Sequence, residues 1–477
     1  MPSETADSPL DLLVAGGGVS GLNLARTVRR LRPDWRIRVL EKAAHPGGTI
    51  RSERVDGSLC EHGPNGFLTN VTHTWDLAVD LGIEDRLRLA DPSSERRFLY
   101  IGGKLVQLHK NPVKFMASPV LSAAGKARLM TEPFRGRGSG EDESVASFIT
   151  RRLGPEPVKH LGDAMVTGIF AGDVNRLSLP AAFPIMADFE REHGSMFKGM
   201  QAHLKARRNR AAEGGPDGRL ASFDEGMQVL IDTLADDLGD VLRPGRAVVA
   251  AEGGADGYRI TTEGDGVSEV HYARRVAFCL PAPGAAKLLR GFSPEASREV
   301  ADIEYAGITV ACVFYDRSQI GADTNAFGFL APRGEGLRML GCIWSGAVFP
   351  GHVNPDKVLC RVMYGGVRDP EAVELDEAEI VDLAHRELTP ILRPTGVPTG
   401  RRVVRWRRGI PQYNVGHMAR VARAEKALES CPGLYLGGNS YHGVGVNDCV
   451  RESTLLGKRI AEDAPIAAKT EAPVTAS

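Results

Sequence analysis

An α/β fold that opens on a strand–helix–strand unit is the class the sequence predicts, and three observations predict it. The apolar run Leu10-Asp11-Leu12-Leu13-Val14-Ala15 leads through a glycine turn into Gly21, Ala25, Val28 and Leu31 at helical spacing. Pro33-Asp34 stops that helix, and Ile37-Arg38-Val39-Leu40-Glu41 reads as a second strand, which a right-handed crossover makes parallel to the first. Glycine is in excess at 55 of 477 residues, against an average of about 7 %. Nine glycines fall between 16 and 66 and five between 433 and 445. Glycine inside a helix or strand costs roughly 0.5–1 kcal/mol, so these clusters mark places where the backbone needs room.

The other elements follow in chain order. Residues 92–220 read as largely helical, broken by two polar loops expected to be mobile, Arg135-Gly136-Arg137-Gly138-Ser139-Gly140 and 205–219. From about 241 the period shifts to strands: Ala247-Val248-Val249, Tyr258-Arg259-Ile260-Thr261-Thr262, Val270-His271-Tyr272, and Arg275-Val276-Ala277-Phe278-Cys279-Leu280 up to Pro281. Further strands lie in 305–368, and 371–392 is mainly a helix closed by Pro390 and Pro394. A last strand, Leu434-Tyr435-Leu436, enters the second glycine cluster and a helix with Val446, Val450, Leu456 and Ile460 on one side. The tail from Ala464 is small-residue and polar, hence expected to be disordered. At roughly 150 residues per domain the length allows about three domain equivalents.

Composition excludes several classes. Lys plus Arg is 59 against 60 Asp plus Glu, net charge -1, so no long-range field draws in nucleic acid. The basic runs Lys205, Arg207, Arg208, Arg210 and Arg401, Arg402, Arg405, Arg407, Arg408 carry one interleaved aromatic, Trp406, and predict no nucleic-acid partner. Seven scattered cysteines without C-x-x-C spacing read as reduced thiols, with no metal site. The first residues lack a basic and then apolar leader, and no apolar run approaches the roughly 18 residues of a membrane span. The expected location is the cytoplasm.

Gly16-Gly17-Gly18-Val19-Ser20-Gly21 matches G-x-G-x-x-G between a strand and a helix, with Glu41 twenty residues past Gly21 at the end of the next strand. In this Rossmann-like context small residues let backbone N–H groups approach a pyrophosphate at the helix N-terminus, and the carboxylate accepts from a ribose diol. Gly47-Gly48-Thr49 and then Glu61-His62-Gly63-Pro64-Asn65-Gly66 follow. That succession resembles the FAD signature of glutathione-reductase and amine-oxidase type flavoproteins. At the far end 433–449 sets a strand, a glycine loop and a helix N-terminus in order, an anion-favouring site suited to a flavin ring that becomes negative on reduction. Glu190-Arg191-Glu192-His193 reads as a solvated helix face, and His62, His417 and His442 as backbone hydrogen-bonding groups. No acid–base or nucleophile constellation is supported by spacing.

Arg96-Arg97-Phe98-Leu99-Tyr100, Thr167-Gly168-Ile169-Phe170-Ala171-Gly172-Asp173, Ala326-Phe327-Gly328-Phe329-Leu330, Arg405-Trp406, Ile410-Pro411-Gln412-Tyr413-Asn414-Val415-Gly416-His417 and 443–449 together resemble the oxygen-dependent, FAD-containing protoporphyrinogen oxidase family over nearly the whole chain. The resemblance implies a discontinuous FAD domain (1–91, 211–300, 400–463), an α+β substrate domain (301–399), a helical lobe that can touch a membrane (92–210) and the tail 464–477. It implies non-covalent FAD held by Gly16, Gly17, Gly18, Val19, Ser20, Gly21, Glu41, Lys42, Gly47, Gly48, Thr49, Gly63, Pro64, Asn65 and Gly66, with Val248 beside the adenine. Trp406 and Val444, Gly445 and Val446 would border the flavin ring. The pocket would use Arg97 for a propionate, the Gly168 carbonyl for the central nitrogens, and Leu330, Ile343 and Met363 for the apolar rings.

The activity so implied is oxidation of protoporphyrinogen IX to protoporphyrin IX in three two-electron steps, in haem biosynthesis, with dioxygen reoxidising the flavin to give hydrogen peroxide. An electron-rich porphyrinogen needs orientation and a receptive flavin more than a base. Coproporphyrinogen III oxidation is the nearest alternative, followed by another amine-oxidase-type flavin oxidase. Attachment to the inner face of the cell membrane, with 112–121 as an interfacial segment, and a homodimer are left open.

Overall fold

Leu12–Ala15, Val19–Leu31 and Ile37–Leu40 form the opening unit in the computed structural model, which describes residues 8–212, 218–254 and 257–463. Leu242–Arg243, Val276–Phe278 and Leu434–Leu436 complete a five-stranded parallel sheet, in which Leu12–Ala15 lies between Ile37–Leu40 and Val276–Phe278. Leu12 and Val14 pack with helices Val19–Leu31, Gln228–Leu238 and Val446–Glu462. Leu13 and Ala15 pack on the other face with Ala282–Leu289, Pro294–Ala301 and His417–Leu428. A sheet covered on both faces demands apolar residues at both parities, which is why the run is unbroken rather than alternating.

The opening and closing helices run side by side in the same direction. Asn23 Nδ2 donates to Val450 O (3.1 Å) and Ser453 Oγ (2.8 Å), and one end further on Arg32 Nε donates to Ala461 O (2.8 Å). Each follows its strand through a glycine turn, so both positive helix ends lie at the carboxyl edge of the parallel sheet.

A second sheet has seven strands in the order Gly400–Pro411, Tyr305–Asp316, Lys357–Gly365, Gly341–Trp344, Gly328–Leu330, Arg97–Ile101 and Lys104–Gln107. One face buries Val362, Tyr364 and Trp344 against helix Glu377–Leu392; the other faces the parallel-sheet body and a helical lobe. Three differences from the sequence reading appear here. The pair Arg97–Ile101 and Lys104–Gln107, expected in a helical stretch, forms one edge of this sheet. Gly400–Pro411, expected with the FAD domain, forms the other edge by antiparallel pairing with Tyr305–Asp316. Lys104–Gln107 and Gly400–Pro411 are the two edge strands, whose polar side chains hide the period of two. Helix Met196–Ala212 also continues through Lys205, where a loop was expected. The tail from Ala464, the first seven residues and 213–217 lie outside the described residues.

A fully buried ion pair organises the lobe. Arg152 Nε donates to Glu132 Oε1 (2.9 Å), and its Nη atoms reach the Glu132 carboxylate and the carbonyls of Arg135, Gly136 and Gly194 (2.9–3.0 Å for the three carbonyls). Glu132 also accepts from Ser195 Oγ (2.6 Å) and Met196 N (2.8 Å). The start of the 135–140 loop is therefore tied down. Glu190, in the segment read as a solvated face, pairs instead with Arg151 (2.7 Å) and Arg152 (3.3 Å).

Candidate active site

The first glycine turn is built by close approaches. At Gly16, φ is +113°, and a Cβ there would run into the Cys279 carbonyl. A Cβ on Gly21 would run into the Gly16 carbonyl, so helix and strand can meet only if that residue is glycine. Gly18 is different: it caps the helix with an ordinary φ of -75°, and a Cβ there would meet nothing within 4 Å. That open volume is bounded by the second doublet, since Gly47 N donates to Gly17 O (2.8 Å) and Gly18 pairs with Gly47 as an isolated bridge. Glu41, 8 % exposed, accepts from Gly17 N (2.7 Å) and Ala43 N (2.8 Å). Its carboxylate is thus fixed in direction with lone pairs to spare. Arg246 N donates to Glu41 O (2.7 Å), which brings Val248 near the same end; Lys42 is exposed and Val19 and Ser20 are buried in the first turn of the helix. These residues fit a dinucleotide: open space at a helix N-terminus, and a fixed carboxylate beyond it.

The third glycine segment continues the track. A Cβ on Gly63 would run into the Thr49 carbonyl, so 61–66 lies directly on 47–49. Three successive carbonyls of this loop are held from the seven-stranded sheet: Glu61 O by Arg361 Nε (3.0 Å), His62 O by Trp406 Nε1 (2.8 Å), and Gly63 O by Arg361 Nη2. Pro64, Asn65 and Gly66 follow, half-buried.

The segment 410–417 shapes the opposite wall. Tyr413 Oη donates to Asn439 O (2.6 Å) and accepts from Gly443 N (2.9 Å), while its ring stacks on His417 at 4.0 Å. His417 Nε2 lies 3.0 Å from Tyr441 O, and burial pushes its pKa down to about 4. It is a neutral donor to that carbonyl. Gln412 Nε2 takes Phe170 O (2.9 Å), so one short segment ties the glycine loop to the helix Asp163–Phe170. Val444 packs against the lobe, Gly445 caps the closing helix, and Val446 shares a core with Val19. Two other histidines depart from the backbone role expected of them: the ring of His62 lies 3.1 Å from Glu53, and His442 pairs with Glu425 at 3.2 Å, which raises its pKa.

Cross-strand register gathers the expected substrate residues. Arg97, Gly328, Ile343 and Arg361 form one row across four strands, and Leu99, Leu330, Gly341 and Met363 the next row two residues along. Residues two apart point to one face, so Arg97, Leu330, Ile343 and Met363 share the face away from helix Glu377–Leu392. A Cβ on Gly168 would lie 3.0 Å from Leu330 Cδ1, which places the end of helix Asp163–Phe170 over this floor. The Gly168 carbonyl belongs to the last helical turn, where carbonyls lack a following helical N–H. Of the two adjacent arginines, Arg96 is committed to Asp323 (3.0 Å), whereas Arg97 stacks on Phe327 at 4.6 Å and makes no ion pair among the described residues. Two buried residues at this junction, Arg361 and Glu61, were not singled out as site residues by the sequence; a lone arginine inside Val358-Leu359-Cys360-Arg361-Val362-Met363 was the available signal.

Comparison with known proteins agrees with this geometry. The chain is 30 % identical over 480 residues to the chloroplastic protoporphyrinogen oxidase of Nicotiana tabacum, covering 94 % of this chain and 86 % of that protein. It is 26 % identical to the coproporphyrinogen III oxidase of Bacillus subtilis, covering 96 % and 98 %. A solved candidate protoporphyrinogen oxidase from Exiguobacterium sp. 255-15 shares the fold with a TM-score of 0.81 at 24 % identity, covering 96 % of this chain and 99 % of that one. The sequence model for flavin containing amine oxidoreductases matches residues 19–461. With the cradle around Gly18 and Glu41, this establishes that the chain belongs to the flavin-containing amine oxidoreductase family and is an FAD-dependent enzyme.

Proposed function

We propose that the protein oxidises protoporphyrinogen IX to protoporphyrin IX. The observation that carries this reading is the floor of Leu330, Ile343 and Met363 with an uncommitted Arg97 at its rim and the FAD cradle at its other side. A tetrapyrrole is a broad apolar macrocycle with carboxylates along one edge, and such a floor buries the one while a guanidinium fork takes the other. Bound FAD supplies the two-electron acceptor, used three times per porphyrin, with dioxygen as the final oxidant. The chain's own residues orient the substrate: the sheet face fixes its plane, Arg97 its rotation, and the Gly168 carbonyl accepts from a central N–H. Other cations near this floor are committed, Arg333 and Arg368 to Asp163, Arg96 to Asp323 and Arg361 to the carbonyls of Glu61 and Gly63, which suits two propionates better than four. Exposed Phe134 (90 %) and Val113 (78 %) give the lobe apolar side chains suited to peripheral lipid contact. No helix among the described residues is long and apolar enough to cross a membrane.

An aerobic fluorescence assay on both porphyrinogens, paired with anaerobic mixing, tests this reading. Protoporphyrinogen should bleach the flavin and turn over faster; faster turnover of coproporphyrinogen would reassign the substrate, and no bleaching by either would end the proposal. Arg97→Ala should raise KM about tenfold with kcat little changed, as loss of a charge-assisted hydrogen bond predicts for interactions equal in ground and transition states. An unchanged KM removes Arg97 from the pocket.

A further inference from the structure

Arg361 is a buried guanidinium, 6 % exposed, that makes no ion pair among the described residues. It grips the carbonyls of Glu61 and Gly63, its Nη1 lies 4.0 Å from Met363 Sδ, and its cross-strand partner is Ile343. One side chain therefore reaches from the substrate floor to the cofactor loop. A buried cation without a counter-ion is costly, and its hydrogen bonds to carbonyls offset that cost without cancelling the charge.

The carboxyl that interacts with it is Glu61. It lines, with Arg361, Asn65 and His352, a cavity of about 20 Å³, and it accepts from Met227 N (2.8 Å) and Ser52 Oγ (2.7 Å). Burial pushes its pKa up to about 7, while burial holds His352, bonded to Phe223 O, below its ordinary value. Of the other cations on the same row, Arg402 is paired with Glu53 (2.7 Å), and Arg97 lies at the far end, stacked on Phe327 (4.6 Å). Around neutral pH the charge on Arg361 is thus only partly balanced.

We propose that Arg361 is a positioning residue that locks the 61–66 loop onto the substrate floor and supplies a net positive charge at the seam between them, favouring the reduced form of the bound flavin. The proposal rests on the FAD assignment and not on the substrate, so its failure leaves the porphyrinogen reading intact. It is tested on FAD-loaded protein at pH 8 by equilibration with an indicator dye and reductant, reading the ratio of reduced to oxidised flavin. Arg361→Gln should lower that ratio about tenfold at a fixed poise, equivalent to about 30 mV for a two-electron couple. Glu61→Gln keeps partners for Met227 and Ser52 while removing the negative charge, so it should raise the ratio. Arg361→Lys should keep the parental ratio but release FAD several-fold faster on dilution, because an ammonium lacks the fork that spans two carbonyls. A parental ratio in Arg361→Gln, or shifts of the same sign in the Arg361 and Glu61 variants, overturns the proposal. If Arg361→Gln fails to fold with FAD, Glu61→Gln decides alone: an unchanged ratio refutes it.

Discussion

Gly18→Ala should give a folded protein that has lost most of its yellow colour. Its φ is ordinary and no protein atom lies within 4 Å of the added methyl, so the cost to the fold is limited to the poorer helix cap, at most about 1 kcal/mol. The methyl does, however, occupy the space between the two glycine turns. Overpacking of about 3 kcal/mol against a pyrophosphate lowers FAD affinity about 100-fold, which is measured by titrating FAD into the apoprotein and comparing its melting temperature with the parent. Gly21→Ala provides the contrast, because its methyl meets the Gly16 carbonyl; it should lower the melting temperature of the apoprotein as well as the affinity. Full FAD binding by Gly18→Ala would show that the open volume is not the cofactor's.

That contrast also explains what was legible in the sequence. The glycine turns could be read because close approach of backbone to backbone demands one residue type, and the parallel strands because a sheet covered on both faces has a continuous apolar signature. Arg97–Ile101 and Gly400–Pro411 were harder, since the first is a short strand with weak alternation and the second is an edge strand crowded with arginines. The substrate floor was reached only through resemblance. What assembles Arg97, Leu330, Ile343 and Met363 is cross-strand register, which brings Arg97 to strands more than 200 residues further along the chain and which no local pattern encodes. Tyr413 and Gln412 were noticed as a motif, yet their work is to hold carbonyls at Asn439 and Phe170. Arg361 escaped for the same reason: a side chain that recognises backbone needs no particular partner residue, so its partner leaves no trace in composition.

Glu132→Ala is expected to be the most destabilising single change in the helical lobe, about 3–5 kcal/mol. Both members of the pair are fully buried, and removing the carboxylate leaves the Arg152 guanidinium with carbonyls and one longer contact to Glu190 (3.3 Å), an under-compensated buried charge of the kind that carries this cost. Arg152 joins helix Val145–Leu153 to the 135–140 loop and the Gly194 turn, so the loss should be felt through the lobe and at Gly168, which lies over the substrate floor. The cradle around Gly18 and Glu41 belongs to a different core, formed by Val14, Val19 and their neighbours. Urea unfolding should therefore separate into two transitions in the variant, with far-ultraviolet circular dichroism of the lobe helices lost early and bound flavin released late, and KM for the porphyrinogen should rise while FAD stays bound. Simultaneous loss of flavin and lobe structure would show that the two cores unfold as one unit. The double change Glu132→Leu with Arg152→Met removes both charges and keeps apolar volume, so it should recover most of the stability; failure to do so would mean that the pair is retained for the carbonyls it gathers rather than for its own attraction.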